Sequence, residues 1–246
     1  MKERPILFQG SMVRALLDGM KTQTRRVCKN EVYGNGFHFD GHHILCHNDY
    51  LPPSALLMDY RKGGFELTTS NVEGWGESCP HGLVGDRLWV REAWRVTSKL
   101  NSLPPRDIPP RKCTVFFDAG GSIANQTNGQ WDEDRTYSAE DAGDWVGKYR
   151  PPMFMPRWAS RLTLEITAVR VERLQEISEA DAQAEGAAPH VWDASHGAAE
   201  LIDWPSKDDR NPYRNGYALL WEGINGPGSW AANPWVWVVE FKVVAP

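Results

Sequence analysis

Gly85-Asp86-Arg87-Leu88-Trp89-Val90-Arg91-Glu92-Ala93-Trp94-Arg95-Val96 alternates from Arg87 onward, with Leu88, Val90, Trp94 and Val96 in one phase and Arg87, Trp89, Arg91 and Arg95 in the other. A period of two marks a half-buried strand, so the stretch predicts one strand opened by the Gly85-Asp86 turn. Glu92 falls in the apolar phase, where an unpaired charge is expensive, and this predicts an ion pair, either with neighbours on the Arg91 side through a register shift or with Lys21.

Upstream, Pro5 to Phe8 reads as a short buried strand, with Ser11 as the N-cap of a helix over Met12–Asp18 that Gly19 closes. Downstream, Arg161 to Leu174 is the longest strand signal; its apolar phase flips between Ile166 and Val169, which predicts a bulge near Ala168. Ser178 caps a helix over Glu179–Glu185 that Gly186 stops, and Asn211-Pro212 opens another carrying the stripe Tyr213, Tyr217, Leu220, Trp221 and Ile224. Trp235, Trp237, Val239, Phe241 and Val243 alternate along a closing strand. Strands with interspersed short helices predict an α+β domain whose sheet curls into a small barrel, the terminal strands sharing that sheet. The whole of residues 1–246 is expected to be one domain carrying loop-rich insertions at about 30–79 and 97–157.

Composition narrows the function. At 246 residues, 41% hydrophobic and 24% charged, the chain is of ordinary globular make-up, and a net charge of -5 excludes a protein that coats nucleic acid by neutralising many phosphates. No run approaches the roughly 20 apolar residues of a membrane span, and Met1-Lys2-Glu3-Arg4 has no apolar signal core, so a cytoplasmic protein without a membrane partner is expected. The four cysteines are too few and too irregularly spaced for a disulfide framework. Of the twelve tryptophans, 89, 94, 221, 235 and 237 fit strands and a helix stripe, whereas 75, 131, 145, 192, 204 and 230 sit in irregular sequence, where lining a cleft is expected of them.

The segment Gly19-x-Lys21-x-x-Thr24-x-Arg26 carries the most chemistry. An amine and a hydroxyl three residues apart just past a helix end make a base and a nucleophile if burial or nearby cations lower the amine's proton affinity, and Arg25 and Arg26 supply cations that also suit a phosphate or a carbonyl oxygen. The plainer alternative is a solvated basic loop. Arg157 and Trp158 have the chemistry to stack on a base, or simply to cover an end of the sheet. His38, His42, His43, Cys46, His47, Cys79, His81 and Cys28 are zinc-type residues, but without Cys-x-x-Cys spacing no metal site is assigned. Neither a Walker loop, Gly-x-Gly-x-x-Gly, Gly-x-Ser-x-Gly nor His-Glu-x-x-His occurs, so no cofactor is expected.

Four blocks, Gly19–Arg26, Val84–Val90, Leu164–Thr167 leading into Ser178–Gly186, and Val238–Phe241, follow the order of the ASCH domain, and the chain resembles that family over about half its length. The stretches Gly85–Glu92 and Met155–Arg161 look like its phage and prophage branch, which would put the protein in a host cytoplasm. The resemblance implies a PUA-like small mixed β-barrel with flanking short helices, recognition of RNA or nucleosides, and kinship with small bacterial N4-acetylcytidine amidohydrolases. It implies Thr24 as nucleophile, Lys21 as its activator and Glu185 as acid/base, with Arg25, Arg26, Glu92, Arg157 and Trp158 as candidate substrate-binding residues. The partner implied is a modified nucleoside or single-stranded RNA. Glu185 is also odd on local grounds, because a carboxylate in the last turn of a helix opposes the helix dipole.

Overall fold

The computed structural model describes residues 1–28, 37–39, 44–46, 79–110, 113–123, 143–190 and 211–244. In chain order the elements are β1 (Glu3–Leu7), α1 (Gly10–Leu17), β2 (Gln23–Val27), β3 (Phe37–Phe39), β4 (Ile44–Cys46), β5 (Arg87–Arg91), β6 (Trp94–Val96), β7 (Val115–Phe117), β8 (Ser122–Ile123), β9 (Thr163–Arg173), α2 (Glu179–Ala184), α3 (Pro212–Asn225) and β10 (Trp235–Val244). A five-stranded sheet has the order β1-β5-β9-β10-β2; β3-β4 and β6-β7-β8 form separate antiparallel sheets. The fold is thus a mixture of strands with few helices, and both terminal strands lie in one sheet, as expected.

The expected closed barrel does not form. In the five-strand order β1 and β2 are the two edges, and closure would require a continuous ladder around the sheet. The expected strand Arg87–Val96 instead breaks at Glu92-Ala93, and its second half leaves to pair with β7, Trp94 opposite Phe117 and Val96 opposite Val115. A smaller correction concerns α1: its N-cap is Gln9, with no side-chain cap, and not Ser11.

The chain divides into two compact units, Met1–Gly19 with Asp86–Glu165 and Lys242–Pro246, and Met20–Gly85 with Ile166–Phe241. In the first, β1 runs parallel to β5, Ile6 opposite Val90, and β5 runs antiparallel to the start of β9. Its core gathers Trp94, Val96, Ile108, Val115, Phe117 and Met155. Gly147 packs there so closely that a Cβ would stand 2.4 Å from the Val96 carbonyl oxygen.

The second unit is built on β10, whose residues Val236 to Val239 are buried on both faces, and on β2, which pairs with it antiparallel. Its core joins Tyr217, Ala218 and Trp221 of α3 to Leu174, Ile177, Ala182, Trp230, Val236 and Val238. Trp230 is fully buried against Tyr217, so it belongs to this core and not to a cleft lining. Ile224, the last residue of the expected stripe, is exposed because α3 ends one residue later at the Gly226 turn. Helix α3 is capped from outside itself: the Glu179 carboxylate accepts the N–H groups of Tyr213 at 2.7 Å and Arg214 at 2.9 Å, two of the donors every helix start leaves unpaired. Along β9 the buried phase changes between Ile166 and Val169, where the sequence flips.

Candidate functional site

Helix α2 is short and closely specified. Ser178 accepts the Asp181 N–H at its start, and Gly186, at φ +76°, ends it in the left-handed conformation glycine favours. Gly186 N–H then bonds the Gln183 carbonyl and Ala187 N–H the Ala182 carbonyl, the paired closure of a Schellman turn. Two further carbonyls at this end, those of Ala184 and Glu185, take donors from the segment ahead of β2: Thr22 N–H bonds Ala184 O at 2.8 Å, and the Lys21 ammonium bonds Glu185 O at 2.7 Å. Thr22 O in turn accepts from Phe241 N–H on β10. Lys21 and Glu185, 164 positions apart in sequence, are thereby pinned together.

Their side chains complete the junction. Lys21 Nζ donates to Glu185 Oε2 at 2.8 Å, and Arg25 Nη1 to Glu185 Oε1 at 3.2 Å, so each carboxylate oxygen holds its own cation. Arg25 also donates through Nε and Nη2 to Glu172 and lies 3.4 Å from Asp181, with its guanidinium carbon 5.9 Å from the Tyr217 ring centre. Arg170 bridges Glu172, Asp181 and Glu240, and Gln23 donates to Asp181. Lys21, Thr24, Arg25 and Glu185 are all no more than 2% exposed.

Thr24 is held differently. Strand alternation sends Gln23 and Arg25 to one face of β2 and Thr24 and Arg26 to the other, and Arg26 Nη1 donates to Thr24 Oγ1 at 2.8 Å. The structure therefore brings Lys21, Arg25 and Glu185 into direct contact and puts Thr24 under Arg26.

The electrostatics follow from burial. Burial pulls the Lys21 amine below the ordinary lysine range, Glu185 opposes the shift, and Arg26 and Arg25 add to it. For Arg25 burial acts downward too, but Glu185 and Glu172 more than offset it. Burial, then Glu185, pushes the Tyr217 phenol well above its usual value, so it is neutral at physiological pH. What results is a nearly dry cluster in which an amine of weakened proton affinity touches a carboxylate. Such an arrangement can take a proton from a hydroxyl and hand it on.

The remaining sequence candidates lie in the other unit and have partners of their own. Glu92, 1% exposed, receives a two-pronged contact from Arg161 Nε and Nη2 at 2.9 and 2.8 Å, while Arg161 Nη1 donates to Gly120 O. The ion-pair reading of Glu92 holds, with Arg161 as the partner, and burial pushes its carboxyl above the usual range in spite of that pairing. Arg157 donates to Glu3 and Thr163 and stands 6.0 Å from the Trp89 ring centre. Trp158 packs edge-on to Trp94 at 6.4 Å and is half-buried in the core. The tryptophans at 75, 131, 192 and 204 lie outside the described residues, as do the side chains of His38, His42, His43, Cys46 and His47. Among the described residues no three His, Cys, Asp or Glu side chains are grouped to hold a metal ion. No helix among them is long and apolar enough to cross a membrane.

The sequence pattern marks none of Glu172, Asp181 and Arg170 as a site residue, and Tyr217 only as part of the apolar stripe of α3. The available signal was Arg170-x-Glu172, opposite charges two apart on one strand face in the stretch where the apolar phase flips. No protein-family model, curated protein or solved structure matches the chain.

Proposed function

We propose that the protein is an amidohydrolase that removes an acyl group from an N4-acylated cytidine or a related modified pyrimidine nucleoside. The observation that carries this reading is the Lys21–Glu185 contact of 2.8 Å, buried, with the amine's proton affinity lowered, just ahead of the strand that carries Thr24. The resemblance of Gly19–Arg26 and Ser178–Gly186 to ASCH-domain amidohydrolases supplies the substrate class.

In the proposed reaction Thr24 Oγ1, held by Arg26, attacks the acyl carbonyl once substrate binding brings it within reach of neutral Lys21, which takes its proton while Arg26 stabilises the developing alkoxide. The proton moves from Lys21 to Glu185 across their hydrogen bond and on to the exocyclic nitrogen as the carbon–nitrogen bond breaks. Water then attacks the threonine ester, giving a proton to Lys21, which passes it to Oγ1 as the ester bond breaks; the acid leaves as its carboxylate with the remaining proton lost to solvent, and neutral Lys21 and the Thr24 hydroxyl are restored. Positioned proton transfer of this kind commonly contributes about 10²–10⁴-fold.

A second reading, a non-catalytic module binding RNA or a modified base, is favoured by one feature: both Glu185 oxygens are taken by cations, the pattern of a structural ion pair. Incubating the protein with a panel of N4-acylated cytidines and following release of cytidine by chromatography separates the two. Turnover that Thr24→Ala and Lys21→Met each reduce at least about 10²-fold supports the hydrolase. A Lys21→Met protein as fast as wild type sinks it, and binding without turnover supports the module.

A further inference from the structure

Arg25 has the sequence credentials of a substrate contact, yet its surroundings leave it no substrate to touch. At 1% exposure, every nitrogen of its guanidinium is engaged by a carboxylate: Nε and Nη2 by Glu172, Nη2 also by Asp181 at 3.4 Å, and Nη1 by Glu185 at 3.2 Å. We infer that Arg25 is a positioning residue: sharing the Glu185 carboxylate with Lys21, it fixes that group's orientation and limits how much of its negative charge reaches the Lys21 amine. The inference rests on the proposed acid–base role of Lys21 and Glu185, and it adds that the division of one carboxylate between two cations tunes the base.

Geometry makes the division definite. Oε2 faces Lys21 and Oε1 faces Arg25, so neither cation takes both oxygens, and the Glu185 backbone carbonyl holds Lys21 in place whichever way the carboxylate turns. Removing the Arg25 charge has three consequences of one sign. The Glu185 carboxylate turns its whole charge to Lys21, Glu172 and Asp181 lose a counterion nearby, and the like-charge repulsion of Arg25 on Lys21 disappears. Each holds the proton on Lys21 more tightly and makes it a poorer base near neutrality. Among the described residues, the other charged or titratable groups of this cluster are Arg26 on β2, Tyr217 on α3, Arg170 and Glu172 on β9, Asp181 on α2 and Glu240 on β10. Arg170 is a further cation on the same acids, 3.1 Å from Glu172 and 3.3 Å from Asp181.

The test uses the full chain labelled with ¹³Cε-lysine, following the Lys21 signal by NMR from pH 6 to 12, with Lys21→Met to assign it. Arg25→Gln is expected to raise the Lys21 midpoint by about one pH unit, and Arg25→Lys, which keeps a charge but loses the fork, by less. Glu172→Gln is expected to move the midpoint the other way, because Arg25 then bears more fully on Glu185. This variant keeps the inference testable if Arg25→Gln does not fold. In turnover of N4-acetylcytidine, the ascending low-pH limb of the kcat profile should move with the midpoint while KM stays constant. An unmoved midpoint in the folded variants overturns the inference, and so does a several-fold rise in KM with an unmoved limb, the signature of an arginine that touches substrate. If the wild type turns over no acylated cytidine, the hydrolase reading fails while the NMR midpoints still decide the role of Arg25.

Discussion

Glu185→Gln removes one negative charge from a site where two cations are buried around it, and its cost can be worked from the contacts. Lys21 loses the carboxylate at 2.8 Å but keeps the Glu185 carbonyl at 2.7 Å, and Arg25 loses a partner at 3.2 Å but keeps Glu172 and Asp181. Breaking a buried pair by removing one member costs about 3–5 kcal/mol, and the contacts that survive put this case near about 3 kcal/mol. For a chain of this length that is a drop in melting temperature of about 6–12 °C. Urea unfolding followed by tryptophan fluorescence reads the change, since Trp221 and Trp230 lie in the core that holds α3. Lys21→Met and the double variant close a thermodynamic cycle, with an expected coupling of about 1–3 kcal/mol. A loss below about 1 kcal/mol, the range of solvent-exposed pairs, would refute the argument that this carboxylate is buried between two cations.

Gly216→Ala is expected to destabilise the second unit strongly, because its Cβ would stand 1.8 Å from the Ala188 carbonyl oxygen, and a thermal melt checks it. Burial pushes the Asp181 carboxyl up, but hydrogen bonds from Ser178 and Gln23 and the charges of Arg25 and Arg170 hold it below 3.8 on balance. With the folded value below the unfolded one, Asp181 contributes stability above pH 3.8 that is lost as pH falls through the folded value; the difference in urea midpoint between wild type and Asp181→Asn should therefore shrink across that acid range. Burial pushes the Cys28 thiol up to about 12, so alkylation at pH 8 followed by peptide mass spectrometry should find Cys28 unmodified in the folded protein and modified in urea.

Local rules sufficed for much of the fold. The Ser178 cap and Gly186 stop bound α2 as expected, Asn211-Pro212 opens α3, and the alternating tryptophans and valines of 235–244 form a strand, since each depends on residues within a turn or two of one another. Splitting of Arg87–Val96 was not legible, because the alternation continues through Glu92-Ala93, and what divides β5 from β6 is which neighbours each half pairs with. The same limit applies to the site. Lys21, Thr24 and Glu185 were marked by a motif, whereas the acids that saturate Arg25 come from β9 and α2, about 150 residues away, and nothing local announces that they will meet it.

That separation has a consequence for how the chain is made. During synthesis at about 5–20 residues per second, Lys21 emerges roughly 8–33 s ahead of Glu185, its partner 164 positions later. A helix as short as α2 does not persist by itself, and its first residue, Glu179, clasps the start of α3, which is made later still. The amine therefore spends that interval as an ordinary solvated lysine, open to any lysine-modifying reagent or enzyme in its surroundings, and is sealed only when the last third of the chain closes over it. A nascent or truncated chain ending before α2 would carry the motif with none of its chemistry.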